Sequence, residues 1–285
     1  MPSLIDIRRR IKSVRNTQQI TKAMKMVSAA KLRRAQDRVI ASRPYGAALR
    51  ALLADLAAAA GADERVAANP LLARRTEQHV QLVLVTSDKG LAGAFNANLI
   101  KAAQRFAEEH KPATTEFLLI GRKGRDFFRK RGVPISGEYL GMAKVQHEDA
   151  VAIAQKLVDR FRNEEIDAVY LLYNEFKSMM SQKLTLARVL PLEMPEQSAP
   201  VDYILEQPAA EILRALLPKC VEMEFYRALL ESAAAEHAAR MTAMEAATSN
   251  AADMIDRLTL FMNRVRQASI TKEIIEVVSG AAAAE

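Results

Sequence analysis

Between Lys219 and Ser279 the chain runs for 61 residues with neither glycine nor proline, and between Ser3 and Arg43 it does so for 41. Ordinary globular helices average about 11 to 12 residues. Segments this long without a breaker predict two helices of about 90 Å and 60 Å, at about 1.5 Å per residue. Pro44 is expected to bend the first helix rather than end it, because Leu49, Leu52, Leu53 and Leu56 continue its apolar face to Gly61. Helices of this length cannot bury a face inside a compact domain of this size, so they are expected to pair antiparallel and stand out as a rod.

Both segments step alternately by three and four, the spacing that keeps one seam on a partner helix. In the first, the track runs through Leu4, Ile7, Ile11, Val14, Gln18, Thr21, Lys25, Ser28, Leu32, Ala35 and Val39, and its middle is polar. In the second it runs from Leu213 through Cys220, Met223, Arg227, His237, Met244, Thr248 and Leu258 to Val265, with many small residues. The ends differ in charge. Residues 1–45 carry 12 basic and 2 acidic side chains, whereas residues 219–285 carry 7 and 10. Opposite charge favours the pairing, although exposed ion pairs are each worth only about 0–1 kcal/mol.

The middle of the chain follows a different pattern. His79–Thr86, Glu116–Gly121 and Ala168–Asn174 read as buried strands, with Ser181–Leu190 as an edge strand. Ala94–His110, Arg122–Arg131 and His147–Asn163 read as helices. Alternating strand and helix predicts a mostly parallel, Rossmann-like sheet with right-handed crossovers. The organisation expected is α/β plus a long antiparallel coiled coil: a first long helix over 1–60, an α/β domain over 75–195 and a second long helix over 209–285.

Composition excludes several classes. Half of the 285 residues are hydrophobic, enough for a sizeable core. A single cysteine, Cys220, cannot form an internal disulfide and points to a reducing compartment. No uncharged apolar run approaches the roughly 20 residues of a membrane span, and Met1–Arg10 lacks the apolar core of a signal peptide. The histidines at 79, 110, 147 and 237 have no metal-ligand spacing, and no catalytic constellation is present. His237 lies on the seam and is expected to make an interhelical polar contact. The loop Ser87–Gly93 follows a strand and opens a helix, where phosphate loops sit. It has neither the Walker nor the dinucleotide pattern, so it reads as a tight turn rather than a nucleotide site. No cofactor and no metal are therefore expected.

Two features remain. The first helix carries an arginine- and lysine-rich stripe, from Arg8, Arg9 and Arg10 to Arg38, which suits either an acidic protein surface or a phosphate backbone. Near the end stand Ile270, Ile274, Ile275, Val277 and Val278. Helix termini normally become polar as they fray, so this apolar end is expected to be sheathed by other subunits.

Four stretches carry a resemblance: Ile20–Arg34 (ITKAMKMVSAAKLRR), Ser87–Asn96 (SDKGLAGAFN), Ala233–Asn250 (AAAEHAARMTAMEAATSN) and Arg266–Ala283 (RQASITKEIIEVVSGAAA). Along essentially its whole length the chain resembles the gamma subunits of bacterial F-type ATP synthases. The resemblance implies a non-catalytic rotor shaft whose paired terminal helices fill a hexamer of alternating alpha and beta subunits. The α/β domain would form a foot on the c-ring beside the epsilon subunit. It further implies that Arg266, Gln267, Thr271 and Glu273 touch the beta catch loops and the enclosing sleeve. Met24, with Lys22 and Lys25 beside it, would face the beta lever, and Tyr203 and Glu206 would meet the c-ring. Leu205 stands where some relatives have tyrosine. No nucleic-acid partner is implied, membrane contact is only through the complex, and the location is the cytoplasmic face of a bacterial inner membrane. The competing reading from the residues themselves is a basic coiled-coil protein that binds nucleic acid.

Overall fold

The computed structural model describes residues 3–60, 64–142, 145–194 and 206–282. Two long helices bracket an α/β core. Helix α1 spans Leu4–Ala60, 57 residues, and continues across Pro44. Helix α6 spans Ala209–Ala282, 74 residues, and continues across Pro218. Between them lie α2 (Glu64–Ala67), β1 (His79–Val85), α3 (Phe95–Glu109), β2 (Thr114–Ile120), α4 (Arg122–Phe128), β3 (Ile135–Tyr139), α5 (His147–Arg162), β4 (Ala168–Phe176) and β5 (Gln182–Leu190).

The five strands form one sheet in the order β3-β2-β1-β4-β5. Strand β1 pairs in parallel with β2 and β4, β2 pairs in parallel with β3, and only β5 joins antiparallel. The α/β architecture with long paired helices is the one read from the sequence. Strand β3 was not foreseen: it is five residues, half-buried, carries Gly137 and Glu138, and lies at the sheet edge. An edge strand of that composition leaves no alternation to read. Central strand β1 is buried at all but its first residue, which is why VQLVLV is apolar except at Gln81, whose side chain is hydrogen-bonded to the Glu116 carbonyl and to Arg160.

Contacts divide the chain into two compact units, one of Met1–Ser28 with Met241–Glu285 and the other of Ala29–Arg240. Each long helix contributes to both. In the larger unit, Leu82 and Leu84 of β1 pack with Leu99 and Phe106 of α3, Phe117 and Leu119 of β2, and Phe128 of α4. Burying each such side chain is worth about 1.5–3 kcal/mol. Ala235 of α6 belongs to the same cluster.

In this unit the sequence reading of α6 needs correction. It assigned one seam, through Leu213, Leu216, Cys220, Met223, Arg227, Leu230, Ala234 and His237. Leu213, Leu230 and Ala234 are buried as read and the others half-buried, but a second row at Leu217, Val221, Phe225, Ala228, Ser232 and Ala235 is buried throughout. This row steps by 4, 4, 3, 4 and 3 and ends in the sheet's core cluster. A helix covered on two sides has no single apolar stripe, so a search for one seam finds only one of its faces.

Candidate functional site

In the terminal unit the two helices run antiparallel. Thr21 Oγ1 lies 2.8 Å from Thr248 Oγ1, and Lys25 Nζ lies 2.6 Å from Glu245 Oε1. As the α1 number rises the α6 number falls. The α1 track is reproduced position by position: Ile7, Thr21 and Ser28 are buried and Leu4, Ile11, Val14, Gln18 and Lys25 are half-buried, while most of their neighbours are exposed. The polar mid-seam is satisfied internally. Thr21 Oγ1 is 3.0 Å from the Gln18 carbonyl and Thr248 Oγ1 is 2.7 Å from the Met244 carbonyl.

The basic side chains face outward. Arg8, Arg9, Arg10, Lys12, Arg15 and Lys22 are exposed on α1, whereas Lys25 is drawn into its ion pair with Glu245. Met24 is half-buried between them. On α6, Arg266, Gln267, Thr271 and Glu273 are exposed along one stretch. Thr271 Oγ1 donates to the Gln267 carbonyl at 3.0 Å, and Ser269 Oγ donates to Glu273 Oε1 at 3.4 Å. From Thr271 to Ser279 every residue is exposed, and Val277 is 72% accessible. Glu206 is exposed just before α6, and Tyr203 and Leu205 lie outside the described residues.

In the larger unit the Ser87–Gly93 loop is tied to its surroundings by side chains. Ser87 N–H donates to Asn96 Oδ1 at 3.0 Å. Arg122 N–H donates to Asp88 Oδ1 at 3.0 Å, and Gly124 N–H donates to Thr86 Oγ1 at 2.9 Å. The carboxylate of Asp88 stands where it would repel an anion brought to the start of α4. Leu91, at the tip, is exposed and adopts a left-handed φ of 62°.

The sequence reading missed what holds this loop. Arg240 of α6 is buried; its guanidinium donates to the Lys89 carbonyl at 3.2 Å and the Gly90 carbonyl at 3.4 Å. The same group pairs with Glu236 at 2.7 Å. Burial pushes the Glu236 carboxyl upward, and Arg240 works against that. The i,i+4 Glu–Arg spacing inside the quoted stretch Ala233–Asn250 was the available signal. The expected interhelical polar contact of His237 is electrostatic, with Lys31 of α1, and its Nδ1 lies 3.5 Å from Arg240 Nη1 on its own helix. Burial, then Arg240 and Lys31, push its imidazole down to about 4.

Among the described residues, no helix is long and apolar enough to cross a membrane. Comparison with known proteins identifies the family. The ATP synthase family model matches residues 3–284. The ATP synthase gamma chain of Solibacter usitatus is 73% identical over 286 residues, covering all of both chains. That of Anaeromyxobacter sp. (strain Fw109-5) is 52% identical, covering 99% of each. The chain belongs to the ATP synthase gamma chain family. Among solved structures, the central stalk and c-ring structure of the Tetrahymena thermophila mitochondrial ATP synthase contains a chain 25% identical, with a TM-score of 0.59, matching 80% of this chain and 99% of its own. A chain of the Euglena gracilis mitochondrial ATP synthase has the same fold, with a TM-score of 0.68 at 19% identity, over 98% of this chain and 94% of that one. As a gamma chain, the protein is a non-catalytic central-stalk subunit of the ATP synthase.

Proposed function

We propose that this chain is the central rotor shaft of a proton-translocating F-type ATP synthase. It would couple rotation of the c-ring to conformational cycling of the beta catalytic sites, in ATP synthesis or hydrolysis. The observation that carries the proposal is the end of α6, where Ile270, Ile274, Ile275, Val277 and Val278 are all exposed on a helix. So many exposed apolar side chains on one helical tip make a surface that needs a sleeve. A ring of alpha and beta subunits is the sleeve that membership of this family suggests.

On this reading Arg266, Gln267, Thr271 and Glu273, together with Lys22, Met24 and Lys25, are the contacts to the alpha and beta hexamer. Tyr203 and Glu206 are the contacts to the c-ring, with the epsilon subunit alongside. The protein then sits peripherally at the cytoplasmic face of a bacterial inner membrane. Coupling requires that each rotary orientation present a different surface to three equivalent beta subunits, because a ligand's affinity is exchanged for rotation only through differential contacts. The outward basic stripe on one helix supplies such an asymmetry.

The test is reconstitution with an alpha and beta hexamer, followed by single-molecule rotation. Deletion of Ile274–Glu285 is expected to lower torque or assembly yield while leaving the far-ultraviolet spectrum of the chain largely intact. A purified full-length chain that never associates with the hexamer would overturn the proposal. Strong, salt-sensitive retardation of nucleic acid by the same chain would favour the competing use of the basic stripe.

A further inference from the structure

Between Arg122 and Arg131, α4 and the 3-10 turn that continues it place six cations and one carboxylate in ten residues. The carboxylate is spent locally, since Asp126 Oδ1 lies 2.6 Å from Arg125 Nη2. Arg122, Lys123, Arg129, Lys130 and Arg131 are exposed, and none of them forms an ion pair among the described residues. Glu77, Glu109 and Glu165, where the chain approaches β1, β2 and β4, are taken by Arg188, Arg105 and Arg160. A solvated surface mixes its signs, so an unmixed block of this density marks an interaction surface.

Helix α4 starts beside the carboxyl end of β1, where Arg122 N–H meets Asp88, and the turn ends just before β3 begins. Its axis therefore runs along the strands, and its end projects from the sheet's amino-terminal edge. Lys111, exposed before β2, stands at the same edge. Helix α6 sets out from that edge too. Arg240 meets Lys89 and Gly90 at the carboxyl edge. Cys220, about 30 Å earlier on the helix, lines a cleft with Val189 and Leu192 at the end of β5. Strand β5 runs antiparallel, so its end lies at the amino-terminal edge of the parallel strands. Glu206, assigned above to the c-ring, precedes α6. On the rotor reading the cationic turn therefore faces the membrane.

In a 3-10 turn successive side chains leave the axis about 120° apart. Arg129, Lys130 and Arg131 thus form a tripod around an axis that points out of the edge, and all three can reach one plane normal to it. Arg131 is steadied by Phe127, its guanidinium carbon 3.6 Å from the ring centroid. A nucleic-acid backbone asks for a row of cations along a groove, and a protein partner asks for an apolar core within its patch. No large apolar side chain is exposed between residues 122 and 134. A negatively charged plane needs neither a row nor an apolar core, and each Lys or Arg close to one strengthens attachment about 5-fold.

We propose that Arg129, Lys130 and Arg131, with Lys111 beside them, make an electrostatic contact with the anionic phospholipid headgroups of the membrane around the c-ring. The proposal rests on the rotor reading for where the membrane lies, and it adds a direct contact to the one made through the complex. Nothing apolar on the turn inserts, so the attachment is purely electrostatic. Headgroups move freely in their plane, so the contact attracts the foot without fixing a rotary angle.

The experiment uses the full-length chain with a fluorophore at Pro134→Cys, an exposed position beside the turn, in a Cys220→Ala background. It is titrated with vesicles of phosphatidylcholine containing spin-labelled phosphatidylglycerol, or of spin-labelled phosphatidylcholine alone. Quenching is expected with the anionic vesicles only, and to weaken as salt rises. Arg129→Gln, Lys130→Gln and Arg131→Gln together are expected to raise the lipid concentration at half-maximal quenching by about 100-fold. Removing three cations elsewhere, as Arg8→Gln, Arg9→Gln and Arg10→Gln, is expected to leave it nearly unchanged. The proposal is overturned by no quenching, by quenching that survives in the turn variant, or by equal quenching with neutral vesicles. Displacement of the vesicles by polyglutamate or RNA at equal negative charge overturns it as well, assigning the turn to an acidic chain or to nucleic acid. Association with the alpha and beta hexamer is measured in parallel. A natural chain that fails to assemble tells against the rotor reading, whereas one that assembles but shows no quenching overturns only the lipid contact.

Discussion

Gly121 closes β2 at a φ of 91°, and a Cβ built on it would lie 2.1 Å from the Thr86 carbonyl oxygen. This is a contact with backbone, so no side-chain rotation relieves it. Gly121→Ala is therefore expected to cost about 3 kcal/mol or more, read as a fall in the urea midpoint. Gly132 is the control: its φ of 64° is also left-handed, but a Cβ there meets nothing within 4 Å. Gly132→Ala should cost only about 1 kcal/mol. His237 makes a second prediction, on pH. Its folded pKa, about 4, lies below the ordinary 6.5, with Arg240 and Lys31 as the charged neighbours that add to burial. The unfolded chain therefore binds the extra proton first as pH falls. The stability associated with neutral His237 is fully present above about 6.5 and is lost as pH falls towards 4, by up to about 3 kcal/mol. His237→Gln should flatten the dependence of the urea midpoint on pH across that window. At this scale the sequence was least legible. The grip of Arg240 on the loop carbonyls of Lys89 and Gly90 joins residues about 150 positions apart; the Glu236–Arg240 spacing is visible on α6, but nothing in it points to this loop.

At the scale of elements, the pairing of α1 with α6 rests on a seam that is polar in the middle. Thr21 and Thr248 each sit within bonding distance of a carbonyl on their own helix and of each other. Each hydroxyl has only one proton to give, so the pair is bonded but contributes modestly. Replacing both partners with valine, which keeps the shape and removes two buried hydroxyls together, is expected to leave stability unchanged or to raise it by about 1 kcal/mol. Thr21→Val alone should lose about 1 kcal/mol relative to the double variant. Chemical denaturation of the four members of the cycle checks this. The side chains of the Lys25–Glu245 pair remain 37% and 60% accessible to solvent, so the pair should matter less, at most about 1 kcal/mol. The α1 seam was readable because one face of that helix is covered and the other is bare. The lower half of α6 was not, because a second row through Leu217, Phe225 and Ala235 is covered as well.

For the whole molecule, the distribution of burial predicts the distribution of local stability. The sheet strands β1, β2 and β4 are almost wholly buried at their centres, whereas Thr271–Ser279 of α6 are exposed throughout. Hydrogen exchange on the isolated chain is expected to show the slowest amides in β1 and β4 and the fastest helical amides in the last turns of α6. Uniform protection along α6 would contradict it. Adding the alpha and beta hexamer should slow the terminal amides selectively if those subunits form the sleeve.

The sequence by itself determined the existence and length of the two long helices, the α1 seam, and the strand–helix alternation that makes a parallel sheet. It also identified the family, from motifs that stand within single helices or single turns. These are local properties: breaker-free length, three-and-four spacing, and apolar runs bounded by turns. Only the tertiary structure decided that α6 is covered on two faces in the larger unit, and that an edge strand forms at Ile135–Tyr139. The same holds for Arg240 fastening the loop after β1. Each of these depends on which distant segments are brought together, and a pairing between distant positions leaves no period in the order of residues along the chain.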